Sequence, residues 1–220
     1  MRRKIVIAPS ILNINNLNLG KDIQTAIDCG ISRFHIDIMD GHFVPNLSFG
    51  PQLVSDFKKT FPTTEVEVHL MSNNPDVLVP AFVNAGAQIV LLHYEAMNED
   101  KLNYWLDYLK ENNVKAGLVL NPDTAVSVLQ QFLKKVDQIL LMTVYPGFGG
   151  QKFIHESSSR IKQAVSLSAG TVPIEVDGGI NKQTAKIAKD AGAKIFVAGS
   201  YLFCQNSIKK QITELEGILQ

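Results

Sequence analysis

Apolar runs of strand length alternate with segments of helical periodicity eight times along this 220-residue chain, and that alternation constrains its fold most tightly. A helix between successive strands makes those strands parallel neighbours, because a hairpin alone cannot join a parallel pair. Strands are expected over residues 4–8, 33–38, 65–70, 88–93, 115–120, 138–143, 173–177 and 194–198. Helices are expected to begin near Asn18, Gly50, Asn74, Asn98, Asp123, Phe153, Asn181 and Tyr201, with a further apolar face near Asn206. Asn74 before Pro75, Asp123 before Thr124 and Asn181 after a double glycine suit the capping of an N-terminus. Three helices end in similar phrases, AIDCG, NAGA and DAGA, where a glycine can take the left-handed conformation that stops a helix. Eight such units predict a (β/α)₈ TIM barrel. An open doubly wound sheet is the runner-up, but the first strand-to-helix turn, APSILN, lacks the G-x-G-x-x-G dinucleotide fingerprint.

Composition narrows the class of function. Residues are 45% apolar, enough for a sizeable core, and no linker or composition shift interrupts them, so one domain over 1–220 is expected. Lys plus Arg and Asp plus Glu both number 21, which leaves no global field for nucleic acid or an anionic membrane. A small, locally recognised ligand fits better. Cys29 and Cys204 are too few for a disulfide framework and read as free thiols of a reducing, cytoplasmic compartment. The opening MRRKIVIAPSILN has basic residues before an apolar run, but Pro9 breaks that run early and it reads as a first strand. No stretch approaches the roughly 20 apolar residues of a membrane span.

In a barrel the strand C-termini converge on one rim, where chemistry is expected. His35 and Asp37 lie two apart in FHIDIM and therefore share a strand face. By themselves they are equally compatible with a structural hydrogen bond. Strand three ends in His69-Leu70-Met71 and strand seven in Asp177-Gly178-Gly179. Two imidazoles and two carboxylates thus reach one rim, a donor set suited to Zn²⁺, Fe²⁺ or Mn²⁺. One layer down, Glu67 sits behind His69 and Glu175 behind Asp177, as partners for an imidazole or for a basic residue such as Lys4. His93 is expected as a pocket wall, and His42 and His155 at the surface. The rest of the rim is glycine-rich: Gly147, Phe148, Gly149 and Gly150 after strand six, Gly178 and Gly179 after strand seven, Gly199 and Ser200 after strand eight. Three such loops in succession suit a phosphate, and the segment 146–151 suits a lid.

APSIL from Ala8, HIDIMDGHFVPN from His35, HLM from His69, AGLVLNP from Ala116, MTVYPGFGGQKFI from Met142, VDGGI from Val176 and AGS from Ala198 together resemble the ribulose-phosphate 3-epimerase family across almost the whole chain. That resemblance implies a phosphate-binding (β/α)₈ barrel and one divalent ion (Zn, Fe, Mn or Co) held by His35, Asp37, His69 and Asp177. It implies an isomerase that inverts C3 of D-ribulose 5-phosphate to give D-xylulose 5-phosphate through a metal-stabilised enediolate. Asp37 and Asp177 would be acid and base on opposite faces of the substrate. Ser10, His69, Gly147, Phe148, Gly149, Gly150, Asp177, Gly178, Gly179, Gly199 and Ser200 would contact the substrate or its phosphate, and Met39, Met71 and Met142 would cap the reacting carbons. Assembly as a homo-oligomer is likewise implied only by the resemblance.

Two departures from the family pattern stand near the expected mouth, Asn13-Ile14-Asn15 and Tyr145. They keep open a 3-epimerase of a hexulose phosphate such as D-allulose 6-phosphate. A non-catalytic phosphosugar-binding relative would be expected to lose Asp37, Asp177 or a metal ligand, and all are present. The D-x-K-x-x-D of orotidine-phosphate decarboxylase relatives is absent, since the corresponding stretch reads Glu67-Val68-His69-Leu70-Met71-Ser72. No strand end offers a lysine for a Schiff-base aldolase.

Overall fold

A computed structural model describes residues 5–220. The eight expected strands are present as β1 (Val6–Pro9), β2 (Arg33–Met39), β3 (Glu65–Met71), β4 (Ile89–His93), β5 (Lys115–Leu120), β6 (Gln138–Met142), β7 (Ile174–Asp177) and β8 (Ile195–Ala198). Lys4, expected to open the first strand and one of the alternative partners for a buried glutamate, lies outside the described residues. Every strand pair is parallel, in the order β1-β8-β7-β6-β5-β4-β3-β2. A parallel bridge between Ser10 and His35 links the two ends of that order, which brings the sheet round into a nearly closed barrel. Outward-facing strand residues such as Phe34, Ile36, Val68, Leu92, Leu118 and Phe196 are buried under the helices. The (β/α)₈ expectation is met.

The surrounding helices are α1 (Leu19–Asp28), α2 (Pro51–Thr60), α3 (Pro75–Asn84), α4 (Glu99–Glu111), α5 (Ser157–Leu167), α6 (Lys182–Ala191), α7 (Ser200–Phe203) and α8 (Ile208–Leu219). Asn181 caps α6 as expected: its side chain accepts from the Gln183 and Thr184 amides, while Thr184 returns a bond to the Asn181 N–H. Asn74 makes no such bond, although Pro75 does open α3. After β5 the expected helix is replaced by a 3₁₀ segment, Val126–Gln131, and Asp123 caps nothing. Thr124, Val126 and Val128 are β-branched and disfavour an α-helix. Arg160 also holds the carbonyls of Asn121 and Thr124, and Asp123 accepts from the Tyr145 hydroxyl at 2.9 Å. The chain after β8 forms two helices, with Ser207 capping the second. Gly30, Gly86 and Gly192, the glycines of the three similar phrases, all have positive φ.

The barrel interior is uneven. On the side of β4, β5 and β6 it is filled by Ile89, Leu91, Val119 and Leu140, and on the side of β8 and β1 by Ala8, Ile195 and Val197. Between them β2, β3 and β7 send in His35, Asp37, Glu67, His69 and Glu175, all buried, together with Asp177. Parallel register sets His35 beside Glu67 and Asp37 beside His69. No helix among the described residues is long and apolar enough to cross a membrane.

Candidate active site

At the C-terminal rim, one ligand atom from each of His35, Asp37, His69 and Asp177 lies within 4.8 Å of the others. His69 Nδ1 stands 3.2 Å from both His35 Nε2 and Asp37 Oδ1, and 3.8 Å from Asp177 Oδ2. His35 Nε2 is 3.4 Å from Asp37 Oδ1 and 3.9 Å from Asp177 Oδ2. Ser10 donates to the other Asp37 oxygen at 2.6 Å, and Ser48 donates to the Asp37 carbonyl at 2.6 Å. These side chains leave little freedom for the carboxylate.

Charge in the cluster is unbalanced. Burial opposes a charge on His35, but Asp37, Glu175 and Glu67 outweigh it and raise the imidazole pKa well above its usual value. Burial likewise opposes ionisation of Asp37, yet His35 and His69 lower its pKa well below the ordinary carboxylate range. For Asp177, burial and the neighbouring Asp37 charge push the carboxyl up to about 7. His69 goes the other way, to about 4, because burial and the adjacent His93 and His35 outweigh Asp37. The two carboxyls thus hold a proton unequally, and the cluster draws positive charge inward.

The donors fit a divalent cation. The outer nitrogen of His35, Nδ1, lies 2.8 Å from Glu67 Oε1, and the outer nitrogen of His69, Nε2, lies 2.9 Å from His93 Nε2. Both inner nitrogens face the carboxylates, and a cation there would relieve the crowding of lone pairs.

Glu67 therefore stands behind His35 and not behind His69, because the β2–β3 register sets it opposite His35. Its second oxygen accepts from Gln138 at 2.6 Å and from Arg33 at 3.3 Å. Gln138 also donates to Glu175, whose pKa is raised well above normal by burial and by Glu67. Arg33 and Gln138 escaped the sequence reading. Alternation along the strands would have shown both pointing inward, at the same level as one another below the rim. His93 is not a pocket wall: it is fully buried behind His69, against the Phe43 ring. His42 and His155 are exposed, as expected.

A cavity opens directly above the cluster. Its walls include Ser10, Asp37 and Asp177, together with Met39, Met71 and Met142, all three buried. Gly147, Phe148, Gly149, Gly150, Gly178, Gly179, Gly199 and Ser200 complete the other side. His35 and His69 lie beneath it, fully buried, and are not among its walls. A side chain at Gly178, where φ is +117°, would meet Val144 Cγ2 at 2.4 Å; at Gly179, where φ is +65°, it would meet the Phe153 amide nitrogen at 2.4 Å. Only glycine fits this turn. Of the two departures, Asn13 lines the cavity, with its amide against Gly149, whereas Tyr145 is not among the walls and turns its hydroxyl to Asp123.

Residues 6–203 match the ribulose-phosphate 3 epimerase family. The chain belongs to that family. It is 44% identical over 219 residues to ribulose-phosphate 3-epimerase of Bacillus subtilis (strain 168), covering 97% of this chain and 99% of the relative. It is 40% identical over 220 residues to the Escherichia coli (strain K12) protein of the same name, covering 99% and 97%. Among solved structures, a 3-hexulose-6-phosphate synthase matches with a TM-score of 0.76 at 14% identity, over 98% of this chain and 100% of that one. At that identity the likeness speaks for the fold alone. Both cysteines are free, Cys204 exposed and Cys29 partly so.

Proposed function

We propose that this member of the epimerase family interconverts D-ribulose 5-phosphate and D-xylulose 5-phosphate by a two-base transfer between Asp37 and Asp177. The observation that carries the reading is the convergence of these two carboxyls on one buried cluster directly below a glycine-walled cavity, in a chain with full-length epimerase relatives. Inverting a carbon beside a ketone requires taking its proton on one face and returning a proton on the other. Asp37 on β2, anchored by Ser10, and Asp177 on β7 would serve the two faces. His35, Asp37, His69 and Asp177 would hold one divalent ion, which when bound supplies positive charge to the oxygens of the enediolate. Met39, Met71 and Met142 would cover the reacting carbons and exclude water. Ser10, the 147–150 loop, Gly178, Gly179, Gly199 and Ser200 would orient the substrate through its phosphate.

The same reading takes the chain as one catalytic domain that works in the cytoplasm as a homo-oligomer on a phosphorylated ketose. The alternative substrate, D-allulose 6-phosphate, draws its support from Asn13 at the cavity wall. Incubation with a divalent metal and ribulose 5-phosphate in D₂O, with allulose 6-phosphate run in parallel, tests both. Deuterium at C3 and formation of xylulose 5-phosphate are expected; no exchange and no product would refute the epimerase reading.

A further inference from the structure

His69 has a second imidazole and then a carboxylate behind it. His93 Nε2 lies 2.9 Å from His69 Nε2, and His93 Nδ1 lies 3.1 Å from Glu95 Oε2. The His69 and His93 ring planes lie within 23° of one another with centroids 5.0 Å apart, so the two rings meet edge to edge through their Nε2 atoms. Glu95 is itself held: its other oxygen accepts from the Asn121 amide at 2.8 Å and from the Thr124 hydroxyl. The loop after β5 is fixed in turn by Arg160, which donates to the Asn121 and Thr124 carbonyls at 2.8 and 2.6 Å.

Proton placement along this row follows from what each group can do. An ionised carboxylate only accepts, so His93 Nδ1 must carry the hydrogen. A buried imidazole with a single ring hydrogen then offers a lone pair at Nε2. Two lone pairs cannot face one another at 2.9 Å, so His69 Nε2 carries the hydrogen and donates. The free lone pair of His69 is left on Nδ1, facing the cluster 3.2 Å from His35 Nε2, which can donate to it beside the Asp37 oxygen at the same distance. We propose that Glu95, acting through His93, is a positioning residue that sets the tautomer of His69 and so keeps Nδ1 available to a metal ion. This rests on the reading of His35, Asp37, His69 and Asp177 as a metal centre. His35 reaches the same end in one step, through Glu67, whereas His69 requires two.

Two measurements on the full chain test the inference. Nitrogen-15 imidazole spectra of the metal-free protein should show His69 protonated at Nε2. In Glu95→Ala that preference should be lost, since His93 is then free to place its own hydrogen on Nε2. Titration with Co²⁺, followed by its visible absorption, should show binding weakened by about 10- to 100-fold in Glu95→Ala and His93→Phe. His93→Gln, which keeps an acceptor carbonyl facing His69, should restore affinity to within a few-fold. His69 protonated at Nδ1 in the wild type, or Co²⁺ affinity unchanged in Glu95→Ala, would overturn the proposal while leaving the metal centre standing. A wild-type protein that binds no Co²⁺ would overturn both. Should His93→Phe fail to fold, Glu95→Ala decides by itself.

Discussion

The two halves of the barrel mouth are built from different materials. Strands β2, β3 and β7 contribute side chains, imidazoles and carboxylates, with Ser10 tied to Asp37, Glu67 to His35 and His93 to His69. The loops after β6, β7 and β8 contribute mainly backbone, with Gly178 and Gly179 shaped so that no Cβ fits. Reaction chemistry needs groups that change protonation state, and such groups must be oriented by neighbours. Phosphate recognition needs exposed N–H groups and space, and side chains would obstruct it. The halves should therefore fail differently.

The largest effect is expected on the side-chain half. Asp177→Asn keeps the shape but cannot take up a proton, and kcat should fall by about 10³-fold or more with an unchanged far-ultraviolet spectrum. Retained turnover would remove Asp177 from the acid–base pair. Next comes the backbone half. In Gly179→Ala the added carbon meets the Phe153 backbone, the turn must shift, and kcat/KM should drop on the order of 10²-fold. Inorganic phosphate should protect the wild type from thermal unfolding but not this variant; equal protection would break the assignment of the phosphate to this side.

Metal addition separates the halves without mutation. A divalent ion at a hundredfold excess over its Kd should stabilise the metal-free protein by about 2.7 kcal/mol, visible as a rise in Tm. Gly179→Ala should show the same rise, and His35→Ala or His69→Ala none. The smallest effect is expected where the halves touch. Asn46, on the loop after β2, donates to the Gly147 carbonyl at 2.8 Å. Asn46→Ala removes a bond worth about 1 kcal/mol, and a rise in KM of less than tenfold is expected from steady-state assays. A loss as large as that of Gly179→Ala would mean that the contact carries substrate orientation.

Much of this was legible in the chain. Strand-length apolar runs separated by helical segments can close only as parallel units, so the eight strands and their order along the chain were readable from the alternation. His35, Asp37, His69 and Asp177 were readable as rim residues because strand periodicity and the strand ends are local properties. The segment after β5 misled, since its apolar spacing suggests a helix. Contacts from Arg160 and Tyr145, distant in sequence, hold that loop in another form.

What the sequence determined by itself was local: the repeated βα unit, the side chains on each inward face and the glycines of each turn. Partnership across strands was set by the folded barrel. Glu67 serves His35 because parallel pairing of β2 and β3 sets the two side by side, a register that neither strand encodes in isolation. His93 backs His69 instead of walling the cavity, because β4 lies next to β3 and directs the imidazole behind it. Hydrogen bonds act over about 3 Å, and only barrel closure brings residues that are tens of positions apart within that reach.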